Sequence, residues 1–316
     1  MKVFFTYEQQ IEKLKSDGLI IVDEYQAIEE LKTEGYYNLI NGYSPIFKND
    51  NRFIKGTSFD HINNLYDFDR SLRSIVYKYA SVIECHFKAL LAHEFSAIHG
   101  VDEKVYLTPD NFSSNKNSKE NVIKLIEKCN KTIQDALSKN TNKYREYIAH
   151  NYNEHHHVPM WILVRALTFG TTSIFYANLI DNEKEVIAKQ YHLSAGQLKN
   201  ILEIVVAFRN IVAHGERTFC AKLPKTRLPS NLKIVKSLSI PKNKKGYHRF
   251  GSNDFLALMI CFKYLLSSIE FAGFITELNA AFDILSQQPL NILGQIKTQM
   301  GLKSNNWKIL PKLKTE

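Results

Sequence analysis

The feature that most constrains the fold is a long stretch of helical periodicity, from about residue 59 to residue 99. Apolar side chains recur there at steps of three and four residues, and neither glycine nor proline interrupts them. Ser58 and Gly100, on either side, are suitable start and stop signals for a helix. Because a helix of about 40 residues is about 60 Å long, the rest of the chain must pack around it. The sequence therefore predicts a mostly α, multi-helix bundle. The repeating apolar positions are Ile62, Leu65, Tyr66, Leu72, Ile75, Val76, Tyr79, Val82, Ile83, Phe87, Leu90, Leu91 and Phe95.

Capping signals predict further helices on both sides of this stretch. A Thr, Asp or Ser followed three residues later by Gln marks helix starts at Thr6, Asp23 and Ser194. Gly170 and Gly273 are expected to interrupt two apolar regions, and the tail after residue 300 is expected to be loose apart from Trp307. Beyond the first two helices, helical regions are predicted at 120–137, 144–152, 160–179, 181–190, 195–214 and 255–285.

Positive charge is concentrated in residues 216–250, here named the basic segment. It holds ten Lys or Arg and one acid, and its net charge of +9 equals that of the whole chain. Three prolines and Gly246 make it the least helical part, and the alternation at 232–240 is compatible with a β-hairpin. The asymmetry predicts contact with a polyanion, and the alternative is a solvated basic loop.

Near the end of the basic segment, aromatic and basic residues interleave from Tyr247 to Phe250. This pattern suits single-stranded RNA, and the alternative is a hairpin edge that packs back on the bundle. The candidate RNA-binding residues are Arg217, Lys222, Lys225, Arg227, Lys233, Lys236, Lys242, Lys244, Lys245, Tyr247, His248 and Arg249.

The cysteines and the apolar stretches bear on the compartment. Cys85, Cys129, Cys220 and Cys261 form no C-x-x-C pair, so neither a disulfide framework nor a thiolate zinc site is expected. The N-terminus lacks a continuous apolar h-region, and no stretch reaches about 18 uninterrupted apolar residues. The sequence predicts a soluble, cytoplasmic protein with no membrane partner.

Arg209, Asn210 and His214 lie near the end of the amphipathic helix predicted at 195–214. Arginine offers a planar donor fork to a phosphate, and histidine offers a nitrogen that titrates near neutral pH. Five helical steps separate Arg209 and His214 by about 140° around the axis. The two therefore converge only if the helix ends at His214, and Gly215 is suited to end it.

With no metal-ligand set nearby, these residues favour phosphodiester cleavage without a metal or other cofactor. A base would take the proton of a ribose 2′-hydroxyl, and the arginine would stabilise the charge on the attacked phosphate. RNA would be the substrate, and a 2′,3′-cyclic phosphate would be the product. The spacing alone is a weak signal, because Arg145 and His150 repeat it. That second pair lacks the Asn and lies in a more polar helix, so the first is preferred.

Five segments in order carry a family resemblance: TYEQQIEKLKSDGLII at 6–21, GYYNLINGYSPIFK at 35–48, LYDFDRSLR at 65–73, PMWILVRALTFGTTSIFYANL at 159–179 and FRNIVAHGER at 208–217. Together they resemble the Abi family of bacterial abortive-infection proteins (AbiD/AbiF-like), which belongs to the HEPN superfamily. The resemblance implies a HEPN-type helical bundle with Arg209, Asn210 and His214 as its catalytic residues. It also implies a composite site across a homodimer, an anti-phage role, and RNA as the partner, either a target RNA or a structured noncoding RNA.

Two classes of function remain at this point. The first is a metal-independent endoribonuclease, and the second is a non-catalytic RNA-binding protein that forms a ribonucleoprotein with a structured noncoding RNA. The predicted organisation is an N-terminal helical segment at 1–57, a HEPN-like core at 58–220, the basic insertion at 221–250, and C-terminal helices with a basic tail at 251–316.

Other polar clusters have structural interpretations. Asp67, Asp69 and Arg70 are expected to form ion pairs or hydrogen bonds between helices rather than a metal or catalytic site. Glu84, in the apolar stripe of the long helix, either contacts the Arg209 and His214 cleft or is a satisfied buried carboxylate.

The histidine tract at 155–157 is not expected to bind metal, because adjacent side chains diverge and no second cluster flanks them. Trp161 and Phe169 are candidates for base stacking, but their spacing favours core positions.

Overall fold

The computed structural model describes residues 3–114, 119–140, 142–287, 292–303 and 305–315. It is mostly α, with one short hairpin. In the first half, the elements are α1 (Tyr7–Ser16), α2 (Glu24–Glu34), a π-helical turn (Tyr37–Asn41), a 3₁₀ turn (Ser44–Phe47), β1 (Lys48–Asn49), β2 (Arg52–Phe53), α3 (Phe59–His99), α4 (Glu103–Tyr106), a 3₁₀ turn (Pro109–Asn111), α5 (Lys119–Leu137) and α6 (Glu146–His155). The second half contains α7 (Met160–Ala166), α8 (Phe169–Asn178), α9 (Asp181–Lys189), α10 (Ala195–Ala213), α11 (Lys233–Ser237), α12 (Phe255–Leu265), α13 (Ser268–Ser286), α14 (Leu293–Gln299) and a 3₁₀ helix (Asn305–Lys312).

The predicted long helix is confirmed as α3, a single helix of 41 residues. The helix starts predicted at Thr6, Asp23 and Ser194 are also confirmed, because each side chain accepts a hydrogen bond from the backbone N–H three residues later. These signals are local, so they act wherever the segment lies in the fold.

Helix α3 is the axis of the bundle. Helices α7, α9, α10 and α13 pack against it. Phe95, on α3, shows how the aromatic core closes: its ring meets that of Phe175 edge-to-face at 5.0 Å and lies 5.9 Å from those of Tyr106 and Phe112. The axis helix therefore fixes the position of α10, which packs along it. Because α10 carries Arg209 and Asn210 and ends at His214, it is here named the motif helix.

The helix breaks predicted at Gly170 and Gly273 are wrong. Gly170 lies inside α8 and Gly273 inside α13. The chain breaks instead before Thr168 and Ser267, whose hydroxyls cap α8 and α13 by accepting N–H bonds. A capping side chain satisfies the free N–H groups of the new helix, and therefore sets these boundaries better than a glycine does.

The hairpin considered at 232–240 is also corrected, because this stretch contains α11. Ile234, Val235 and Leu238 are buried, and a short helix places all three on one side. The Ile234 N–H donates to the Tyr264 hydroxyl of α12 at 3.4 Å. Antiparallel pairing in the basic segment occurs further along, as an isolated bridge between residues 242 and 248.

The C-terminal tail is packed rather than loose. Trp307 and Leu310 are buried, and the last 3₁₀ helix contacts α12 and α13. The Trp307 ring lies 6.0 Å from that of Phe282. No helix in the described part of the chain combines the length and apolar character needed to cross a bilayer.

Gly273 permits a close approach between α13 and α3. The effect of Gly273→Ala on stability should therefore depend on whether the Tyr79 hydroxyl is present. A Cβ at this position would lie 2.8 Å from the Tyr79 hydroxyl oxygen, so Gly273→Ala should lower the free energy of unfolding by about 1–3 kcal/mol. In a Tyr79→Phe background the next atom is 3.8 Å away, so the same change should be neutral or stabilising by up to about 1 kcal/mol. Urea unfolding of the four proteins measures this, and an equal loss in both backgrounds would contradict it.

Candidate functional site

The motif helix α10 ends at a well-defined C-cap. His214 is the cap residue, and Gly215 follows with φ +70°. The Gly215 N–H donates to the Val212 carbonyl at 3.2 Å, and the Glu216 N–H donates to the Ile211 carbonyl at 3.0 Å. These two bonds form a Schellman motif. The motif reverses the chain directly after His214 and leaves this side chain exposed at the helix end.

The backbone conformation at residue 215 is predicted to require glycine. Nothing lies within 4 Å of a Cβ added there, but φ is positive, so Gly215→Ala should lower the free energy of unfolding by about 1 kcal/mol. Gly196, in the first turn of the same helix, also has open space and no positive φ. Gly196→Ala is therefore the matched control and should be neutral or slightly stabilising. Equal losses in urea unfolding would refute this reason for the glycine.

His214 opens into a polar pocket of about 470 Å³, here named the His214 pocket. One wall comes from the π-helical turn and the residue after it, and the other from the chain that follows α10. The lining residues are Tyr37, Asn38, Asn41, Gly42, His214, Gly215, Glu216, Arg217, Cys220 and Ala221.

Asp69 of α3 holds the two walls together. Its buried carboxylate accepts the Tyr43 hydroxyl (2.8 Å), which follows the first wall, and the Phe219 N–H (2.8 Å) within the second. It also accepts the Thr218 N–H and pairs with Arg73 at 2.9 Å. Burial raises the pKa of Asp69, and the four hydrogen-bond donors act in the opposite direction. Asp69 therefore has a structural role, but it joins two loops to α3 rather than two helices. Asp67 and Arg70 form an ion pair within α3, and Arg70 also lies 3.9 Å from Glu34 of α2.

Arg217 is the cation of the His214 pocket. Its Nη1 donates to the Gly42 carbonyl at 2.8 Å, across the two walls. The sequence pattern placed Arg217 among the RNA-binding residues but did not associate Tyr37, Asn38 or Asn41 with His214. The available sequence signal was the tyrosine at 37 and the asparagines at 38 and 41, which flank the apolar Leu39 and Ile40.

Arg209 faces another way. Its Nη2 lies 3.7 Å from Glu84 Oε2, and its guanidinium lies 6.0 Å from the Tyr77 ring centroid, both on α3. Asn210 is exposed, and its Oδ1 is 3.5 Å from Arg209 Nη1. In the part of the chain that the structure describes, neither residue lines the His214 pocket. The Arg209 side chain is 27% exposed, whereas its Nε is buried and has no hydrogen-bond partner among the described residues.

A second depression, the Trp161 groove, lies on the side of α3 that Glu84 and Lys88 share. It measures about 590 Å³ and is mostly apolar; its lining residues are Cys85, Lys88, Ala89, Ala92, His93, Trp161, Val164 and Arg165. Phe169 is buried as predicted, but the core position predicted for Trp161 is wrong, because this side chain is 47% exposed. Lys88 contacts Glu84 at 2.6 Å, so Glu84 links the groove to Arg209.

The basic segment starts at the His214 pocket and extends beside α10. In the middle of the segment, Asn231 Oδ1 accepts a bond from Gln197 Nε2, near the start of that helix. The distance along the helix from Gln197 to His214 is about 25 Å. The apolar side chains of the segment are buried, and its lysines and arginines are exposed. Within the described residues, Lys222 is the one cation of the segment with a carboxylate in reach, Asp254 at 3.2 Å.

The aromatic end of the basic segment is partly anchored. Tyr247 is 62% exposed, whereas His248 is half-buried and its Nδ1 lies 3.2 Å from the Ile240 carbonyl oxygen. Phe250 is buried. This end therefore packs on the bundle through Phe250 and leaves Tyr247 available for stacking.

The histidine tract lies at the end of α6, with His155 and His156 exposed. Across the described ranges, no group of three or more His, Cys, Asp or Glu side chains is arranged to hold a metal ion. Arg145, in the second copy of the motif spacing, is the N-cap residue of α6, so this pair does not reproduce the end of α10.

Comparison with known proteins adds one finding. A family model described as Abi-like protein matches residues 29–220, more than half of the chain. The matched region includes both walls of the His214 pocket as far as Cys220 and excludes most of the basic segment. No curated protein and no solved structure matches the chain.

Proposed function

Because the chain belongs to the Abi-like protein family, we propose that this abortive-infection protein acts on RNA as a metal-independent endoribonuclease of HEPN type, in defence against phage. The observation that supports this most is the setting of His214. An exposed histidine shares a polar pocket with Arg217, Glu216 and two asparagine amides, at the start of a segment of net charge +9.

The reaction needs only groups of this kind and the RNA itself. His214 takes the proton of a ribose 2′-hydroxyl, and the 2′ oxygen attacks the adjacent phosphorus. The bond from phosphorus to the 5′ oxygen of the next nucleotide breaks, and that oxygen takes a proton from water. The products are a 2′,3′-cyclic phosphate and a 5′-hydroxyl end. The guanidinium of Arg217 offsets the charge that develops on the phosphate oxygens.

Arg209 and Asn210 enter this proposal through a homodimer. Arg209 lies on the α3 side of α10 rather than in the pocket of its own chain. If two motif helices face each other, Arg209 of the partner subunit can approach the phosphate held at His214. Its side chain is 27% exposed, and a planar guanidinium is suited to that contact.

The basic segment would hold the RNA backbone. Its exposed lysines and arginines can contact the phosphates of a strand, and such contacts give affinity without base selectivity. RNA bound along this segment would pass the His214 pocket, where the segment begins. A target RNA and a structured noncoding RNA share this chemistry.

One observation favours the second candidate, RNA binding without cleavage. Arg209 contacts Glu84 within its own chain, so a monomer holds His214 with one pocket cation, Arg217. In that form the protein would position a noncoding RNA in a ribonucleoprotein rather than cut it.

Incubation of the purified protein with total RNA in EDTA tests the proposal. Cleavage with 2′,3′-cyclic phosphate ends is expected, since no step uses a metal. Tight, salt-sensitive binding with intact RNA would reject the enzyme in favour of the scaffold. Absence of both binding and cleavage would reject an RNA function for the protein on its own.

A further inference from the structure

We propose that Tyr37, Asn38 and Asn41 form a nucleobase subsite, which makes RNA binding at the His214 pocket selective for the base. This inference rests on the proposed RNA function and names the part of the pocket that reads sequence. It assigns the basic segment to the phosphates and the π-helical turn to the base.

The π-helical turn presents a polar, aromatic face to the pocket. Leu39 and Ile40 are buried in the core, whereas the other three residues of the turn are exposed and line the pocket. Tyr37 is 77% exposed, so its ring is open to a ligand in the pocket. Over the described ranges, neither asparagine amide has a protein hydrogen-bond partner.

These groups supply both parts of base recognition. Each amide carries two donors and an acceptor, so it can pair with the edge of a base. The exposed tyrosine ring can stack on the face of a base, and that contact tolerates any base. Selectivity therefore comes from Asn38 and Asn41, while Tyr37 contributes affinity.

The subsite is held in place from behind. Tyr43 follows the turn and is fixed by its bond to Asp69, the carboxylate that also fixes Phe219 in the opposite wall. Arg217 bridges the walls through the Gly42 carbonyl. A base on the turn and a phosphate beside Arg217 would thus belong to neighbouring positions of one strand, next to His214.

The composition of the pocket also argues against an apolar ligand or a protein surface. Its lining is mainly polar and includes Arg217, His214 and Glu216 beside the two asparagine amides, which fits a polar ligand with hydrogen-bonding edges. Its volume of about 470 Å³ lies within the range of about 300–1,000 Å³ that is typical of small-ligand sites.

Binding of uncleavable oligonucleotides tests the inference. Fluorescence anisotropy would give Kd values for 2′-O-methyl 12-mers of A, C and U, with wild type and the double variant Asn38→Ala/Asn41→Ala. We expect wild type to prefer one base by about tenfold, and the variant to bind all three within about twofold of one another.

Three controls separate the contributions. Asn153→Ala changes an exposed asparagine on α6, away from the pocket, and should keep the preference. Tyr37→Ala should weaken all three oligonucleotides together. Lys244→Ala/Lys245→Ala should also weaken them equally and should lower the salt dependence of Kd.

The possible failures are distinguishable. If wild type binds RNA without base preference, or the double variant keeps the preference, the subsite is rejected and the RNA function stands. If wild type binds none of the oligonucleotides and no cellular RNA, the RNA function fails, and the subsite fails with it.

Discussion

Asp69→Ala is expected to lower the free energy of unfolding by about 3–5 kcal/mol. The substitution removes the acceptor of the Tyr43 hydroxyl and of the Thr218 and Phe219 N–H groups. It also leaves Arg73, whose side chain is 11% exposed, without its carboxylate. Uncompensated polar groups of this kind cost more than the net value of the bonds themselves. Urea unfolding followed by circular dichroism measures the loss.

Asp67→Ala is the matched control on the same helix. Asp67 and Arg70 form an ion pair with side chains 56% and 58% exposed, so this change should cost less than about 1 kcal/mol. If Asp69→Ala costs no more than Asp67→Ala, Asp69 does not hold the walls of the His214 pocket. Because Asp69 joins those walls, Asp69→Ala should also weaken RNA binding under conditions where the variant remains folded.

His214→Ala is expected to slow RNA cleavage by about 100- to 10,000-fold, the usual contribution of general acid–base catalysis. The side chain is exposed, so stability should change by less than about 0.5 kcal/mol. Affinity for a 2′-O-methyl oligonucleotide should stay within about threefold, because the basic segment remains intact. The measurements are initial cleavage rates in EDTA and anisotropy titrations.

His150→Ala is the control for this prediction. His150 is exposed and occupies the second copy of the motif spacing, on α6, so its loss should leave the cleavage rate unchanged. A cleavage rate that survives in His214→Ala, or that falls equally in His150→Ala, would remove His214 from the reaction. If the site is formed by a dimer as proposed, Arg209→Ala should also reduce the cleavage rate while the protein remains folded.

Local signals accounted for much of the fold. Ser58 and Gly100 delimit α3, and Ser194 and Gly215 delimit α10, because caps and periodicity depend on residues a few positions apart. The same logic failed where tertiary packing decides. The alternation at 232–240 resembles a strand, but the surface of α12 accepts a helical turn there.

The candidate site was predictable in its location and not in its geometry. The end of α10 at His214 follows from the sequence, whereas the opposite wall comes from a turn whose link to Asp69 spans 26 residues. The bond from Thr218 to the same carboxylate spans 149 residues, and no local pattern encodes it. Likewise, the spacing of Trp161 suits a core position, but Met160, Leu163 and Val164 fill the buried face of α7.

Photo-crosslinking tests most directly whether RNA occupies the His214 pocket. RNA containing 4-thiouridine would be bound to wild type, irradiated, digested and analysed by mass spectrometry to identify the crosslinked peptides. We predict crosslinks to the peptide that contains Tyr37, to the peptide that contains residues 214–221 and to the rest of the basic segment. In Tyr37→Ala, the crosslink to the peptide around residue 37 should be lost. Crosslinks confined to other surfaces, such as the Trp161 groove, would contradict the assignment.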